Sequence, residues 1–356
     1  MKIVSRIKNL VYSFYKTVKT ASNGKWEFCL VAIDYVYSRL RFHITADEYL
    51  KYNFYNFKDR YRKKFVLVYH QKKYCNISTR FFTRSKYLFY KRIPDLYQRG
   101  MLLIPFCGVV AFLDFVKKYG RIIVKPDLGS LGKGIEIFEY SDENSAREYF
   151  KKFSEDIPMI AEEYISQHES LDELNPYSVN TVRVVSILYD GKVELVSAAL
   201  KTGGSYDVFD NMHRGGIGAQ IDIATGIVTT LGRDYQYNCY STHPVSGKQF
   251  IGFCVPNWEA VITLVKEAHS RLPQCLIYGW DLAITPTGVD IVEANNAPGP
   301  KLMQTMDQIP KGEKIIRMIK TIKIKQEYSK KSAYTPNYKS LFPTSESVDS
   351  TISDVK

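Results

Sequence analysis

Gly279-Trp280-Asp281-Leu282-Ala283-Ile284-Thr285, Pro286-Thr287-Gly288 and Val289-Asp290-Ile291-Val292-Glu293-Ala294-Asn295 follow one another without interruption. Two apolar runs around a Pro-Thr-Gly turn predict a β-hairpin. Residues two apart on a strand share a face, so Glu293 and Asn295 point to one side, and Asp281 lies on the partner strand. Two carboxylates and an amide oxygen beside apolar neighbours suit one or two Mg²⁺ ions, since this hard cation takes oxygen ligands and keeps phosphate as a further one. An exposed hairpin edge is the plainer alternative, but acids beside Ile291 and Val292 would be costly if buried unpaired.

Upstream, the period of Val109 to Lys118 is helical, with Gly120 as its end. A strand Arg121 to Lys125, a strand Ile135 to Tyr140, a helix capped by Ser141 or Asp142 that runs to Phe153, and a strand Pro158 to Tyr164 follow. The loop Gly129-Ser130-Leu131-Gly132-Lys133-Gly134 joins the first two strands. Its glycines let backbone N–H groups approach an anion, and Lys125 and Lys133 supply charge for a polyphosphate. It is neither a Walker loop nor Gly-x-Gly-x-x-Gly, and a hairpin turn with solvated charge has the same composition. Ala161-Glu162-Glu163-Tyr164-Ile165 reads as a strand end whose backbone can meet a purine edge, with Glu162 or Glu163 accepting from an amino group.

Further strands are expected at Thr181 to Tyr189, Val193 to Leu200 and Ile217 to Ile223, with turns at Asp190-Gly191 and Thr225-Gly226 and a helix from Asn257 to Arg271. Arg183 lies among Val182, Val184 and Val185, where an unpaired guanidinium would be expensive, so it needs an anion. That anion is Glu293 or another acid if the role is structural, or a transferred phosphoryl group if it is functional.

Taken in order, Lys-Pro with the Gly-rich loop, Glu-Glu-Tyr-Ile, Asn-Thr-x-Arg-x-Val, Asp-Asn-x-x-x-Gly-Gly, and Asp-x-Ala with Glu-x-Asn-x-x-Pro-Gly resemble the ATP-grasp superfamily. More narrowly, the chain is similar to the sugar-transfer-associated ATP-grasp proteins of exopolysaccharide or capsule biosynthesis. The resemblance runs from about Phe106 to Gln308. It implies an α+β fold in which two subdomains clasp ATP, Mg²⁺ as cofactor, and an ADP-forming carboxylate-amine ligase that works through an acyl phosphate. It makes Lys125 and Lys133 the phosphate lysines, with Gly129, Ser130, Gly132 and Gly134 in the loop. Glu162, Glu163, Tyr164 and Ile165 become the adenine hinge, with His168 or Glu169 toward ribose. Asp281, Glu293 and Asn295 match the Mg²⁺ ligands, and Arg183 matches the arginine that steadies the acyl phosphate. Lys201, Asn211, His213 and Gly215-Gly216 fall on the substrate side, His213 as an acid/base or as a packing residue. The implied substrate is a small-molecule or lipid-linked glycan carboxylate with an amine partner, such as a uronic acid and an amino acid. A phosphotransferase acting on a sugar or lipid-linked hydroxyl needs the same phosphate and metal residues.

The expected organisation is a basic region 1–100, a catalytic domain 101–327 divided into a Gly-loop subdomain 106–165 and a metal and substrate subdomain 166–327, and a disordered tail 328–356. The chain has 356 residues and a formal charge of +12. Residues 1–100 hold 22 Lys+Arg against 6 Asp+Glu and 13 of the 27 tyrosines, while the remainder is slightly acidic. Six scattered cysteines give no zinc spacing and no disulfide framework, which points to a reducing cytoplasmic setting. The first twenty residues lack the continuous apolar core of a signal peptide, and the longest apolar run, Met101 to Val116, is too short to span a bilayer.

Ile3, Val4, Ile7, Leu10, Val11, Phe14, Tyr15 and Val18 recur at helical spacing between Lys2, Arg6, Lys8, Lys16 and Lys19. Such a helix either docks its stripe on the next domain or lies on the inner face of the membrane, so residues 1–20 are the expected membrane contact. The basic, tyrosine-rich first hundred residues also fit a nucleic-acid-binding protein, but no nucleic-acid motif is present and no specific nucleic-acid partner is expected.

Overall fold

A computed structural model describes residues 2–74, 84–129, 134–206 and 215–321. The chain begins with five helices: α1 (Lys2–Ala21), α2 (Lys25–Phe42), α3 (Ala46–Lys51), α4 (Asp59–Arg62) and α5 (Val68–Tyr74). Aromatic residues form much of their core. Tyr35, Phe42, Tyr49, Tyr52, Phe54 and Phe65 pack with Val18 and Val31. Buried hydroxyls find acceptors, Tyr49 donating to Asp34 at 2.7 Å and Tyr52 to the Val66 carbonyl at 3.3 Å, which lets tyrosine serve as a core residue here. Thr17, Val18 and Ala21 are buried, whereas Ser5 to Ser13 are exposed throughout. The first helix therefore docks by its last turns and leaves its first half free.

After α6 (Lys86–Tyr90) come β1 (Met101–Ile104), α7 (Gly108–Tyr119), β2 (Arg121–Pro126), β3 (Glu136–Glu139), α8 (Glu143–Phe150) and β4 (Met159–Glu163). The strands form an antiparallel sheet in the order β1-β4-β2-β3. Ile122, Val124, Met159 and Ala161 face α7 and α8 through Phe112, Leu113, Val116 and Tyr149. Asp142 caps α8 by accepting from the Ser145 N–H at 2.9 Å, and Gly120 ends α7 with a φ of +70°. Strand β1 is an addition to the sequence reading, which had merged it into one apolar run with α7.

The second sheet follows: α9 (Glu169–Leu174), β5 (Thr181–Tyr189), β6 (Lys192–Thr202), β7 (Ile217–Ile221), β8 (Gly232–Arg233), β9 (Cys239–Tyr240), α10 (Trp258–Arg271), β10 (Ile277–Thr285), β11 (Gly288–Asn295), α11 (Pro300–Gln304) and α12 (Gly312–Thr321). Its order is β11-β10-β5-β6-β7-β8-β9, antiparallel throughout. Alternation sends Val182, Val184, Trp280 and Leu282 into a core with Val261 and Val265 of α10. Part of the opposite face is covered by Met303, Ile315 and Met318 together with Val66 of the N-terminal region. Gln304 clasps the Val66 backbone from both sides, accepting its N–H at 2.8 Å and donating to its carbonyl at 2.9 Å, while Lys301 pairs with Asp47.

Residues 84–99 lie between the two sheets. Tyr87 packs with Met101, Leu103 and Ile160 of the first, and Phe89 packs with Tyr278 and Trp280 of the second. No helix among the described residues is long and apolar enough to cross a membrane.

Candidate functional site

Another part of that same face of the second sheet carries a charged row. Arg183 on β5 stands opposite Asp281 on β10, which stands opposite Glu293 on β11, so three neighbouring strands present these side chains on one face. Asn295 lies opposite Gly279, and Lys201 on β6 lies opposite Thr181, all on that same face. A bulge in the hairpin, with Asp281 paired to Glu293 but Leu282 to Ile291, leaves Val292 as an extra residue. Without that bulge Asp290 and Glu293, three apart, would point to opposite faces.

The anion that Arg183 requires is Asp281. Nε donates to Oδ1 at 2.6 Å and the second guanidinium arm to Oδ2 at 2.5 Å, a bidentate pair, while Lys201 Nζ reaches Oδ1 at 3.4 Å. Burial pushes the Asp281 carboxyl upward, but the charges of Arg183 and Lys201 override it and hold it at about 2. Both of its oxygens are therefore engaged by cations of neighbouring strands, so Asp281, expected as a metal ligand, is also the partner of Arg183 and Lys201. Glu293 and Asn295 are half-buried, and neither makes an ion pair or side-chain hydrogen bond among the described residues. Their oxygens fit a hard divalent cation that takes its remaining ligands from phosphate and water. Among the described residues no group of three His, Cys, Asp or Glu is placed to hold a metal without such help.

On the first sheet, Lys125 is buried and pairs with Glu162 at 2.6 Å. Glu162 also meets Arg99 at 3.2 Å. Burial would raise its carboxyl, but Arg99 and Lys125 hold it at about 2. Of the two acids expected to accept from a purine amino group, Glu162 or Glu163, Glu162 has its oxygens buried against two cations. The neighbouring segment does offer an edge. Tyr164 N–H donates to the Arg121 carbonyl at 3.3 Å, while the Tyr164 carbonyl and the Ile165 N–H have no partner among the described residues. Glu163 is half-buried, with Oε2 at 3.4 Å from the Gly100 N–H. His168 is a helix cap: its Nδ1 accepts from the Ser170 N–H at 3.2 Å, leaving only Nε2 for any ligand. Gly129 and Gly134 bound the loop with φ of +151° and +70°, a region that disfavours side-chain-bearing residues. Ser130, Gly132 and Lys133, together with Asn211, His213 and the tail 328–356, lie outside the described residues.

Two residues of this site escaped the sequence reading. Lys86 Nζ donates to the carbonyls of Pro126 at 3.0 Å and Asp127 at 3.2 Å, at the root of the Gly-rich loop. Burial and the charge of Lys125 lower its amine, while Glu293 of the other sheet acts in the opposite sense, so Lys86 stands where the charged faces of the two sheets converge. Arg99 joins the sheets directly: one terminal nitrogen meets Glu162 of β4, and the other meets Asp290 at 2.6 Å and the Ile291 carbonyl at 2.7 Å on β11. The signal for Arg99 was present in the sequence, since acids at 162 and 290 within apolar strands require cations just as Arg183 requires an anion. Lys86, one base among the 22 of its region, gave none.

A family model described as sugar-transfer associated ATP-grasp matches residues 108–323. The chain belongs to this family. Its two antiparallel sheets with their helices are the two halves of the ATP-grasp fold, here preceded by a helical N-terminal region. No curated protein matches the sequence. Similar solved structures include a D-alanine–D-alanine ligase from Bacillus anthracis at 15% identity, covering 69% of each chain with a TM-score of 0.40. D-alanyl-alanine synthetase A from Vibrio cholerae is 12% identical, covering 69% of this ATP-grasp chain and 67% of that one, with a TM-score of 0.45. The ATP-grasp ligase PsnB, solved with a minimal precursor, Mg and ADP, is 12% identical over 69% of this chain and 62% of its own, with a TM-score of 0.43.

Proposed function

We propose that this ATP-grasp protein is an ATP-dependent, ADP-forming ligase that joins a carboxylate to an amine through an acyl phosphate, with a glycan carboxylate such as a uronic acid as acceptor and an amino acid as amine. The observation that carries the reading is the pairing of Asp281 with both Arg183 and Lys201 on the sheet face bearing Glu293. Phosphate-facing charge is already supplied by Lys125 and Lys86. Arg183 and Lys201 together outweigh the one carboxylate they share, and the surplus positive charge suits a second anion, the acceptor carboxylate, and the phosphoryl group that moves onto it.

The carboxylate oxygen attacks the terminal phosphorus as the bond to the ADP oxygen breaks. The amine then attacks the acyl carbon, phosphate leaves and the ammonium proton goes to solvent. Neither bond change needs a strong base, and the protein's part is to position and to neutralise charge. Lys125 and Lys86 offset the polyphosphate, Arg183 and Lys201 hold the acceptor, and the open backbone at Tyr164-Ile165 receives the purine edge. A Mg²⁺ held by Glu293 and Asn295 would screen the phosphate oxygens. A hydroxyl acceptor carries a proton that must be removed, whereas a carboxylate acceptor attacks as it stands. The phosphotransferase alternative needs such a base, and the product assay below separates the two.

The test is a panel of uronic acids paired with amino acids, scored for ADP, inorganic phosphate and product mass. Equal yields of ADP, phosphate and amide are expected. ADP with a phosphorylated product and no free phosphate would establish the phosphotransferase instead.

A further inference from the structure

In α2 the buried residues Val31, Tyr35, Ser38 and Phe42 define one face, which packs in the N-terminal core. On the opposite face Trp26, Leu30, Ile33, Tyr37 and Leu40 recur every three or four residues, and all are exposed, Trp26 at 78%, Ile33 at 69% and Leu40 at 76%. A helix apolar on both faces is ordinarily buried on both. This stripe extends for about 21 Å at 1.5 Å per residue. The free half of α1 adds Ile7, Leu10, Val11 and Tyr12, at 55 to 67% exposure. An exposed apolar surface of this extent marks an interaction site.

The charge around it selects the occupant. Residues 2–42 hold 8 Lys+Arg against 2 Asp+Glu, and α1 has no acid at all. Arg6, Lys8, Lys16, Lys19, Lys25, Arg39 and Arg41 are all exposed. A second copy of the chain would bring the same positive helices against themselves, which like-charge repulsion opposes. A nucleic acid would satisfy the bases and leave the aliphatic stripe in water. An anionic bilayer satisfies both, taking Leu and Ile into the acyl boundary, Trp and Tyr at headgroup level, and the bases against lipid phosphate and carboxylate.

We propose that the outer face of α2, with the first half of α1, docks this enzyme on an anionic membrane surface. The helices lie in the interface plane, and no helix among the described residues is long and apolar enough to span the bilayer. Contact centres on α2 rather than on residues 1–20 alone, because the last turns of α1 are used up by the N-terminal core.

Trp26 makes the proposal directly readable. The other two tryptophans, Trp258 and Trp280, are 7% and 0% exposed, so an emission shift on docking reports Trp26. The full chain is mixed with phosphatidylcholine vesicles with or without phosphatidylserine, followed by co-sedimentation and tryptophan emission. Binding to the anionic vesicles with a blue shift that disappears in Trp26→Phe is expected, and binding weakens as salt rises. Ile33→Glu with Leu40→Glu, both at exposed positions, should weaken binding by about ten-fold or more with an unchanged unfolding curve. Lys25→Glu with Arg41→Glu should do the same from the charge side. No binding to anionic vesicles, binding without a Trp26 shift, or retention of single-stranded nucleic acid in place of vesicles would overturn the proposal. So would an Ile33→Glu/Leu40→Glu variant that turns a dimer into a monomer while vesicle binding is unchanged.

Discussion

Replacing Arg99 by methionine keeps most of the side-chain length and removes a charge that three buried groups share. Its terminal nitrogens contact Asp290 at 2.6 Å, the Ile291 carbonyl at 2.7 Å and Glu162 at 3.2 Å, and all three side chains of the ion-pair triad are 2 to 4% exposed. In Arg99→Met, Glu162 keeps Lys125 at 2.6 Å, but Asp290 is left with the Gln98 N–H at 3.0 Å as its charge-stabilising contact. Orphaning a buried charge in this way costs about 3–5 kcal/mol. Urea unfolding, followed by the fluorescence of buried Trp258 and Trp280, measures it. Adding Asp290→Asn removes the orphaned charge and should recover about 2 kcal/mol in a double-mutant cycle. The pH dependence has a definite sign. Glu162 is held at about 2 in the folded chain, so its stabilisation is complete above the ordinary carboxylate value of about 4 and is lost as pH falls toward 2. Losing Arg99 removes one of the two cations that hold Glu162 down, so the Glu162 share of the cost is largest at neutral pH and shrinks as pH falls toward 2. A loss under about 1 kcal/mol at pH 7, or no relief from Asp290→Asn, would refute the account of Arg99 as the charge that ties the two sheets together.

Glu293→Ala should abolish ATP turnover while leaving the unfolding curve in place, and ordinary turnover in that variant would remove Glu293 from the metal site. Asp281→Asn frees Arg183 and Lys201 from their shared carboxylate, so turnover should fall by about 100-fold or more with a smaller change in KM for ATP; unchanged kcat would mean that the pair only packs. Burial and Lys125 lower the Lys86 amine, and a bound polyphosphate raises it again. Between its lowered value and the ordinary lysine value, nucleotide binding should thus take up protons, which calorimetry in buffers of different ionisation enthalpy detects. Lys86→Met should abolish that uptake and raise KM for ATP by about ten-fold; persistence of the uptake would assign it elsewhere.

The hairpin that carries Asp281, Glu293 and Asn295 was legible because strand period and turn chemistry are local: a Pro-Thr-Gly turn between two apolar runs leaves little freedom in how the chain folds back. The need of Arg183 for an anion was legible for an energetic reason, but its identity was not. Glu293 and Asp281 are both acids on the same hairpin, and only the antiparallel register of β5 on β10 puts Asp281 next to Arg183. Glu162 looked like a strand-end residue able to face a ligand, because Arg99, 63 positions away in sequence, and Lys125 are invisible to local pattern. The aromatic segments of the first hundred residues resisted reading because their rings meet across short helices, as in Tyr52 on Phe65 and Phe42 on Phe54, so no single period organises them.

By itself the sequence determined most of the strands, the Gly-rich loop between two of them, the acids and amide on one hairpin, and a basic, aromatic N-terminal region, since each depends on composition and on spacings of two to four residues. The tertiary structure decided which charges are spent on one another and which stay open. Pairing Asp281 with Arg183 and Lys201 leaves Glu293 and Asn295 as the free oxygens; the bulge at Val292 turns Glu293 onto the face that Asp290 shares; and the fold draws Lys86 and Arg99 out of the basic region into the seam between the sheets. It also decided that one side of α2 is core and the other bare. Such outcomes depend on contacts between residues far apart in the chain, where burial makes an unpaired charge too costly to leave alone.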